Sequence, residues 1–268
     1  MAFADNKLHI LSAGLALLGA LLIQIGTNLY NDYADFGKGA DTSTRKGPIR
    51  VTQAGLIPPA RVRAGAFIAF GLAVVAGGYL MWRGGWVIVT IGVLSIFFGF
   101  AYTAGKYSLS YLGIADFFVL VFFGPIAVGG TYFVQGLDIT KEVLMAGLAP
   151  GALAVAILLV NNIRDIVEDE AAGKRTLVVR LGRGGGLFLY LMCIIMACAI
   201  PAYFVLASGA SPLLLLASIT PLVGIILLRR LKNAQTGEEH NALLADTGKL
   251  LLAYCLVFSA CWIFVNRG

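Results

Sequence analysis

The chain has 268 residues, 59% of them hydrophobic and 13% charged, with a mean hydropathy of +0.87. Soluble domains carry about a quarter charged residues, so this composition excludes a water-soluble globular protein and places the chain in lipid. The net charge of +6 is not read as a nucleic-acid footprint, because no basic stripe with interleaved aromatics runs along the chain; it reflects membrane topology, helped by anionic lipid.

A helix needs roughly 20 apolar residues to cross about 30 Å of hydrocarbon. Runs of that kind cover His9 to Tyr30, Ala64 to Met81, Trp86 to Gly105, Tyr111 to Leu137, Val143 to Ile163, Leu187 to Ala207, Pro212 to Leu228 and Leu250 to Asn266. A barrel's alternating pattern is absent, and helices satisfy their own backbone hydrogen bonds in lipid, so the pattern predicts an all-α polytopic transmembrane bundle of eight helices. If the spans alternate, one side holds sixteen of the twenty basic residues, from Lys38, Arg45, Lys46 and Arg50 to Arg229, Arg230, Lys232 and Lys249. The other keeps Lys7, Arg83, Lys141 and Arg267. The positive-inside rule makes the first side cytoplasmic.

Smaller features read as structural. MAFADNK lacks the basic start of a cleavable signal peptide. Cys193, Cys198, Cys255 and Cys261 lie in apolar runs without metal-type spacing and read as free thiols. Gly14, Gly19, Gly77 and Gly78 are expected to permit close helix packing, Gly184 to Gly186 to form a flexible helix start, and His9 and His240 to be solvated near the membrane surface.

The acids are unevenly placed. Of fourteen, seven (Asp32, Asp35, Asp41, Asp165, Glu168, Asp169 and Glu170) stand at the same-side ends of the first and fifth spans. The first cluster reads NLYNDYADFGKGADTSTRKGPIR from Asn28, and the second NNIRDIVEDEAAGKRT from Asn161. Asn31 and Asp35 are four apart, as are Asp165 and Asp169, so each pair shares a helix face. Carboxylates at that spacing repel, and at membrane depth each costs about 2.5–3.5 kcal/mol. A divalent cation compensates, and magnesium binds through one or two carboxylates while sharing phosphate oxygens. Interleaved Lys and Arg would meet the rest of a diphosphate, whose oxygen gains charge as its bond to carbon breaks.

At these residues the sequence resembles the UbiA superfamily of intramembrane prenyltransferases, closest to its 1,4-dihydroxy-2-naphthoate polyprenyltransferase branch of menaquinone synthesis. The family's NxxxDxxxD motif is matched by Asn31 and Asp35; Gly39 takes the third place, and Asp41, two residues on, stands in for it. Asp165 and Asp169 match DxxxD, and NNIRDIVEDEAAGKRTLVVRLG is close to that branch throughout. AYTAGKYSLSYLGIADFFVLVFFGP resembles the branch's third cytoplasmic loop, and Arg50 the arginine after the first motif.

The resemblance covers about His9 to the C-terminus. It implies a single membrane-embedded prenyltransferase domain of nine helices, whose first has no counterpart before Met1, around a central cavity open to the cytoplasmic side. It implies magnesium held by Asn31, Asp35, Asp41, Asp165 and Asp169, and diphosphate held by Arg50, Lys106, Lys174 and Arg175. The partners implied are a polyprenyl diphosphate, 1,4-dihydroxy-2-naphthoate and, with them, the bilayer of a bacterial cell; the acceptor would lose its carboxyl as carbon dioxide. Asn28, Asp32 and Asn162 are placed behind the ligands. Asp116, with Tyr102, Tyr107 and Tyr111, either faces the acceptor or serves structure, Asp116 then pairing with Lys106. The alternatives are another aromatic prenyltransferase of this kind, or a cation-coupled secondary transporter.

Overall fold

The computed structural model describes residues 1–37, 47, 50–102 and 109–265; Asp41, Lys106 and Tyr107, singled out in the sequence, lie outside the described residues. Among the described residues helix is the only regular structure. The first span is α1 (Ile10–Gly37). The next helical stretch, Pro59–Ala101, has 43 residues, about twice what a bilayer accommodates at 1.5 Å rise per residue. It is folded in two at Gly85, whose φ of 59° and ψ of −149° suit a residue without Cβ. The legs are α2 (59–84) and α3 (86–101), and they run back to back: the Phe100 ring lies 4.6 Å from Phe70 and 5.6 Å from Phe67.

Five spans follow: α4 (Ala115–Gly136), α5 (Lys141–Arg164), α6 (Leu177–Ser208), α7 (Pro212–Asn233) and α8 (Gly237–Val265). Eight spans match the expected number, but several bounds differ. The first helix continues beyond Tyr30 and carries Asn31, Asp32 and Asp35. The last begins at Gly237 rather than Leu250, because His240, Leu243, Thr247, Leu250, Tyr254, Phe258 and Cys261 form one buried face at three- and four-residue steps. Helix α6 starts at Leu177 and breaks at Gly182, with φ 72° and ψ 173°.

Packing divides the bundle. Fifteen of the 24 residues of α5 are buried, which makes it the axis of a dense core shared with α6, α7 and α8 through Leu153, Leu159, Tyr190, Phe204, Leu231 and Tyr254. The first four helices instead surround a cavity. The halves meet where α4 crosses α5: the chain widens into a π turn at Phe122–Ile126, which contains Pro125, and Gly124 presses on Gly147 and Gly151. A Cβ on Gly151 would stand 2.4 Å from Leu120 O, and one on Gly124 2.7 Å from Gly147 O.

That contact, and not the glycines marked in the sequence, is where backbones approach. Nothing lies within 4 Å of where a Cβ would be on Gly14, Gly19 or Gly78, and Gly77 meets only Met81 Cε at 3.8 Å. Gly184 to Gly186 sit inside α6, and Gly186 allows Ile163 to pack against it, 2.9 Å from a would-be Cβ. His240 is 3% exposed, its Nδ1 2.7 Å from Thr236 O, so it is a buried residue and not a solvated one. All four cysteines are free thiols.

Opposite the acidic clusters, Lys7 Nζ pairs with Asp138 at 2.6 Å, Tyr132 donates to Asp5 at 2.6 Å, and Arg83 donates to the carbonyls of Val134 and Gln135 at 2.8 and 3.0 Å. Opposite signs are expected for two glycine replacements. Gly151→Ala should lower stability by about 1–3 kcal/mol through overpacking, whereas Gly14→Ala, in open space, should raise it by up to about 1 kcal/mol; thermal unfolding in detergent distinguishes the two.

Candidate active site

The first cluster is set by the continuation of α1. Asp35 is 5% exposed; its Oδ2 accepts from Arg50 Nη2 at 2.8 Å, and Arg50 Nη1 donates to Asn31 O at 2.9 Å. Asp35 Oδ1 is buried and, among the described residues, has no hydrogen-bond partner. On the next face the Thr52 hydroxyl donates to the Asp32 carboxylate, which ties the segment after the first cluster back to α1. Asn28 is exposed and faces Gln24 at 3.5 Å, so it does not join the group.

In the second cluster α5 is capped at Asp165, with φ −98° and ψ 12°, and Asp169 N donates to Asp165 O at 2.8 Å, so one helical turn joins the two acids. A short helix, Ile166–Ala171, then turns Asp169 inward. Asp169 is 6% exposed and pairs with Lys174 Nζ at 2.9 Å. Asp165 is gripped by its own neighbour: Arg164 Nε meets Oδ1 at 2.6 Å and Arg164 Nη2 meets Oδ2 at 2.7 Å. The same guanidinium reaches Asn161 Oδ1 at 2.7 Å and Asn241 Oδ1 at 2.6 Å. Asn162 is buried beside it, and Arg175 is exposed.

The two clusters share one electrostatic environment. Burial, first, raises the proton affinity of Asp169 above the usual carboxylate range, Lys174 opposes this, and the charges of Asp165 and Asp35 add to it. Burial works against the charge of Lys174, but Asp169 and Asp35 more than offset it and hold the ammonium above its ordinary range. The Tyr102 phenol is pushed up by burial and then by Asp116, Asp169 and Asp35, so it stays protonated. Asp116, in the first turn of α4, is 6% exposed, and neither oxygen has a partner among the described residues.

Tyr102 also lines a cavity of about 420 Å³, walled by residues of α1 to α4 that include Gly19, Gly77, Gly92, Phe98, Phe118 and Val134. Its wall is almost wholly apolar and runs from the acidic end down to Leu80 and Ile88 near the Gly85 turn. The arrangement is a greasy chamber that reaches the acidic end at Tyr102, whose phenol feels Asp116, Asp169 and Asp35.

Among the described residues no three acids, histidines or cysteines converge as a ready-made metal cage. The donors still suit magnesium, which takes one or two carboxylates and completes its shell with water and phosphate oxygens; the orphaned Asp35 Oδ1 is such a donor. Sequence reasoning missed Thr52 and Asn241. For Asn241 the signal was the 240/243/247 register, which marks the polar stretch before Leu250 as helix.

Fold and site together define a polytopic helical membrane protein with a lipid-like chamber joined through Tyr102 to a group of buried carboxylates. The chain belongs to the UbiA prenyltransferase family, whose sequence profile matches residues 1–253. A Haemophilus influenzae protein named 1,4-dihydroxy-2-naphthoate octaprenyltransferase is 36% identical over 199 residues, 72% of this chain and 64% of that protein. The match thus spans just under two thirds of that relative's length. A Mycobacterium tuberculosis protein of the same name is 32% identical over 250 residues, 93% of this chain and 84% of its own length.

Among solved structures, an apo UbiA homolog from Aeropyrum pernix aligns with TM-score 0.68 at 17% identity, over 93% of this chain and 90% of its own. A UbiA homolog from Archaeoglobus fulgidus, solved with DMAPP and Mg2+, aligns with TM-score 0.62 at 15% identity, over 96% and 89%. At those identities the likeness is one of fold.

The buried Lys174–Asp169 pair supplies a stability test. Lys174→Met leaves a buried carboxylate uncompensated and should cost about 3–5 kcal/mol. Adding Asp169→Asn should recover most of that loss, a coupling that a double-mutant cycle of denaturant unfolding measures.

Proposed function

We propose that this chain is a magnesium-dependent prenyltransferase that moves a polyprenyl chain from its diphosphate to 1,4-dihydroxy-2-naphthoate, whose carboxyl leaves as carbon dioxide. The observation that carries this reading is the pairing of Arg50 with Asp35 at 2.8 Å and of Lys174 with Asp169 at 2.9 Å beside Tyr102, which lines an apolar chamber. The names of the 30–38% identical relatives supply the acceptor.

Asp35, Asp165 and Asp169, with Asn31 and Asp41, are the residues that would hold the metal. Bound magnesium supplies positive charge to the diphosphate oxygens as the carbon–oxygen bond breaks. Arg50 and Lys174, held against Asp35 and Asp169, are the donors to the departing diphosphate, with Lys106 and Arg175 as further cations at the same end. The isoprenoid tail lies in the chamber between α1 and α4, whose apolar wall keeps water from the allylic cation. Tyr102, protonated and lining the chamber, and Asp116, buried beside it, face the ring that attacks. The acidic end is the cytoplasmic one by the positive-inside rule. A transporter reading is less well supported, because Asp35 and Asp165 sit at helix ends and not in a broken helix at mid-membrane.

Membranes containing the chain, incubated with a polyprenyl diphosphate and a panel of aromatic acids, should yield the prenylated, decarboxylated naphthalene only with magnesium, as read by product mass. Absence of diphosphate release from a folded preparation would sink the reading. Asp35→Asn and Asp169→Asn should each lower turnover by about 10²-fold or more. Gly92→Phe, which projects a ring into the chamber, should spare short donors and penalise long ones.

A further inference from the structure

We infer that Asn241, on α8 and outside both acidic clusters, is a positioning residue for the second of them: it holds Arg164, and Arg164 holds the carboxylate of Asp165. The inference rests on the reading of Asp165 as a magnesium ligand.

Arg164 is 4% exposed. A guanidinium so buried must place its donors on acceptors, since an unpaired buried charge is costly. Nε and Nη2 form a fork on the two oxygens of Asp165 at 2.6 and 2.7 Å, and Nη2 also meets Asn161 Oδ1 at 2.7 Å. These contacts all come from the last turn of α5 and would let the side chain swing with it. Nη1 is the exception: it donates to Asn241 Oδ1 at 2.6 Å, 77 residues away in sequence. That bond anchors the fork to another helix, whose backbone there is pinned by burial of His240 and Leu243 on the same turn.

The fork matters because it takes one lone-pair direction on each Asp165 oxygen, while Asn161 Nδ2 reaches Oδ2 only at 3.4 Å. The direction left open on Oδ1 is set by the plane of the guanidinium, and that plane is anchored outside α5 by Asn241. Asp165 caps α5 with φ −98° and ψ 12°, and its side chain is held chiefly by Arg164. Partners one step behind a metal ligand typically change metal affinity about 10- to 100-fold when removed.

The test is Mn2+ binding by the purified full chain in detergent with inorganic pyrophosphate, followed by electron paramagnetic resonance alongside thermal unfolding. Asn241→Ala should weaken Mn2+ binding by about tenfold or more, and Asn241→Asp, which keeps an acceptor for Nη1, should recover most of the loss. Thr247→Ala, which removes a buried hydrogen bond to Tyr190 elsewhere on α8, should lower the unfolding temperature without changing Mn2+ affinity. Parent-like binding by Asn241→Ala, or equal weakening by Thr247→Ala, overturns the inference and leaves the proposed function standing. A parent protein that binds no Mn2+ with pyrophosphate overturns both.

Discussion

The structure depends on answering the buried charges of its two acidic clusters. Carboxylates placed at the membrane end of a bundle are costly unless a cation meets them, and the chain supplies one for three of them: Arg50 for Asp35, Arg164 for Asp165 and Lys174 for Asp169. All three pairs are local in sequence or close to it, so the site assembles from two short stretches once the ends of α1 and α5 come to the same end of the bundle, where Asp35 acts on Asp169 and Lys174. The same pairs make the end of the bundle next to Tyr102 both acidic and basic, the condition for holding a metal and a diphosphate together.

A second constraint shapes the chamber. Gly124, Gly147 and Gly151 bring α4 against α5 at backbone distance, and Pro125 with the widened turn at Phe122–Ile126 displaces the side chains that follow. π turns are often found at functional sites, and here Phe122, Phe123 and Ile126 line the chamber. Close contact on one side of α4 thus produces open space on the other.

Much of this was legible in the residues. Hydropathy marked eight spans, and acids four apart at the ends of the first and fifth marked the site, because composition and spacing are local properties. Helix bounds were less visible where polarity hid a helix: the stretch GEEHNALLADTGK is polar overall, yet its buried face continues that of the apolar run behind it. Glycines were legible as glycines but not as contacts, since Gly19 and Gly77 open a cavity while Gly151 closes a joint, and only the neighbouring helix decides which. The Arg164 fork was out of reach for the same reason: spacing alone placed Asp165 and Asp169 on one face, and the end of α5 between them separated their partners.

The cavity wall is drawn from residues 16 to 134, whereas the dense core is drawn from residues 146 to 261. Shape in the hollow half can therefore drift through single side chains without loosening the solid half that keeps the molecule folded. A lineage built on this plan has room to change which hydrocarbon it accepts while its foundations stay the same, and diversity among its members should concentrate in the first four helices.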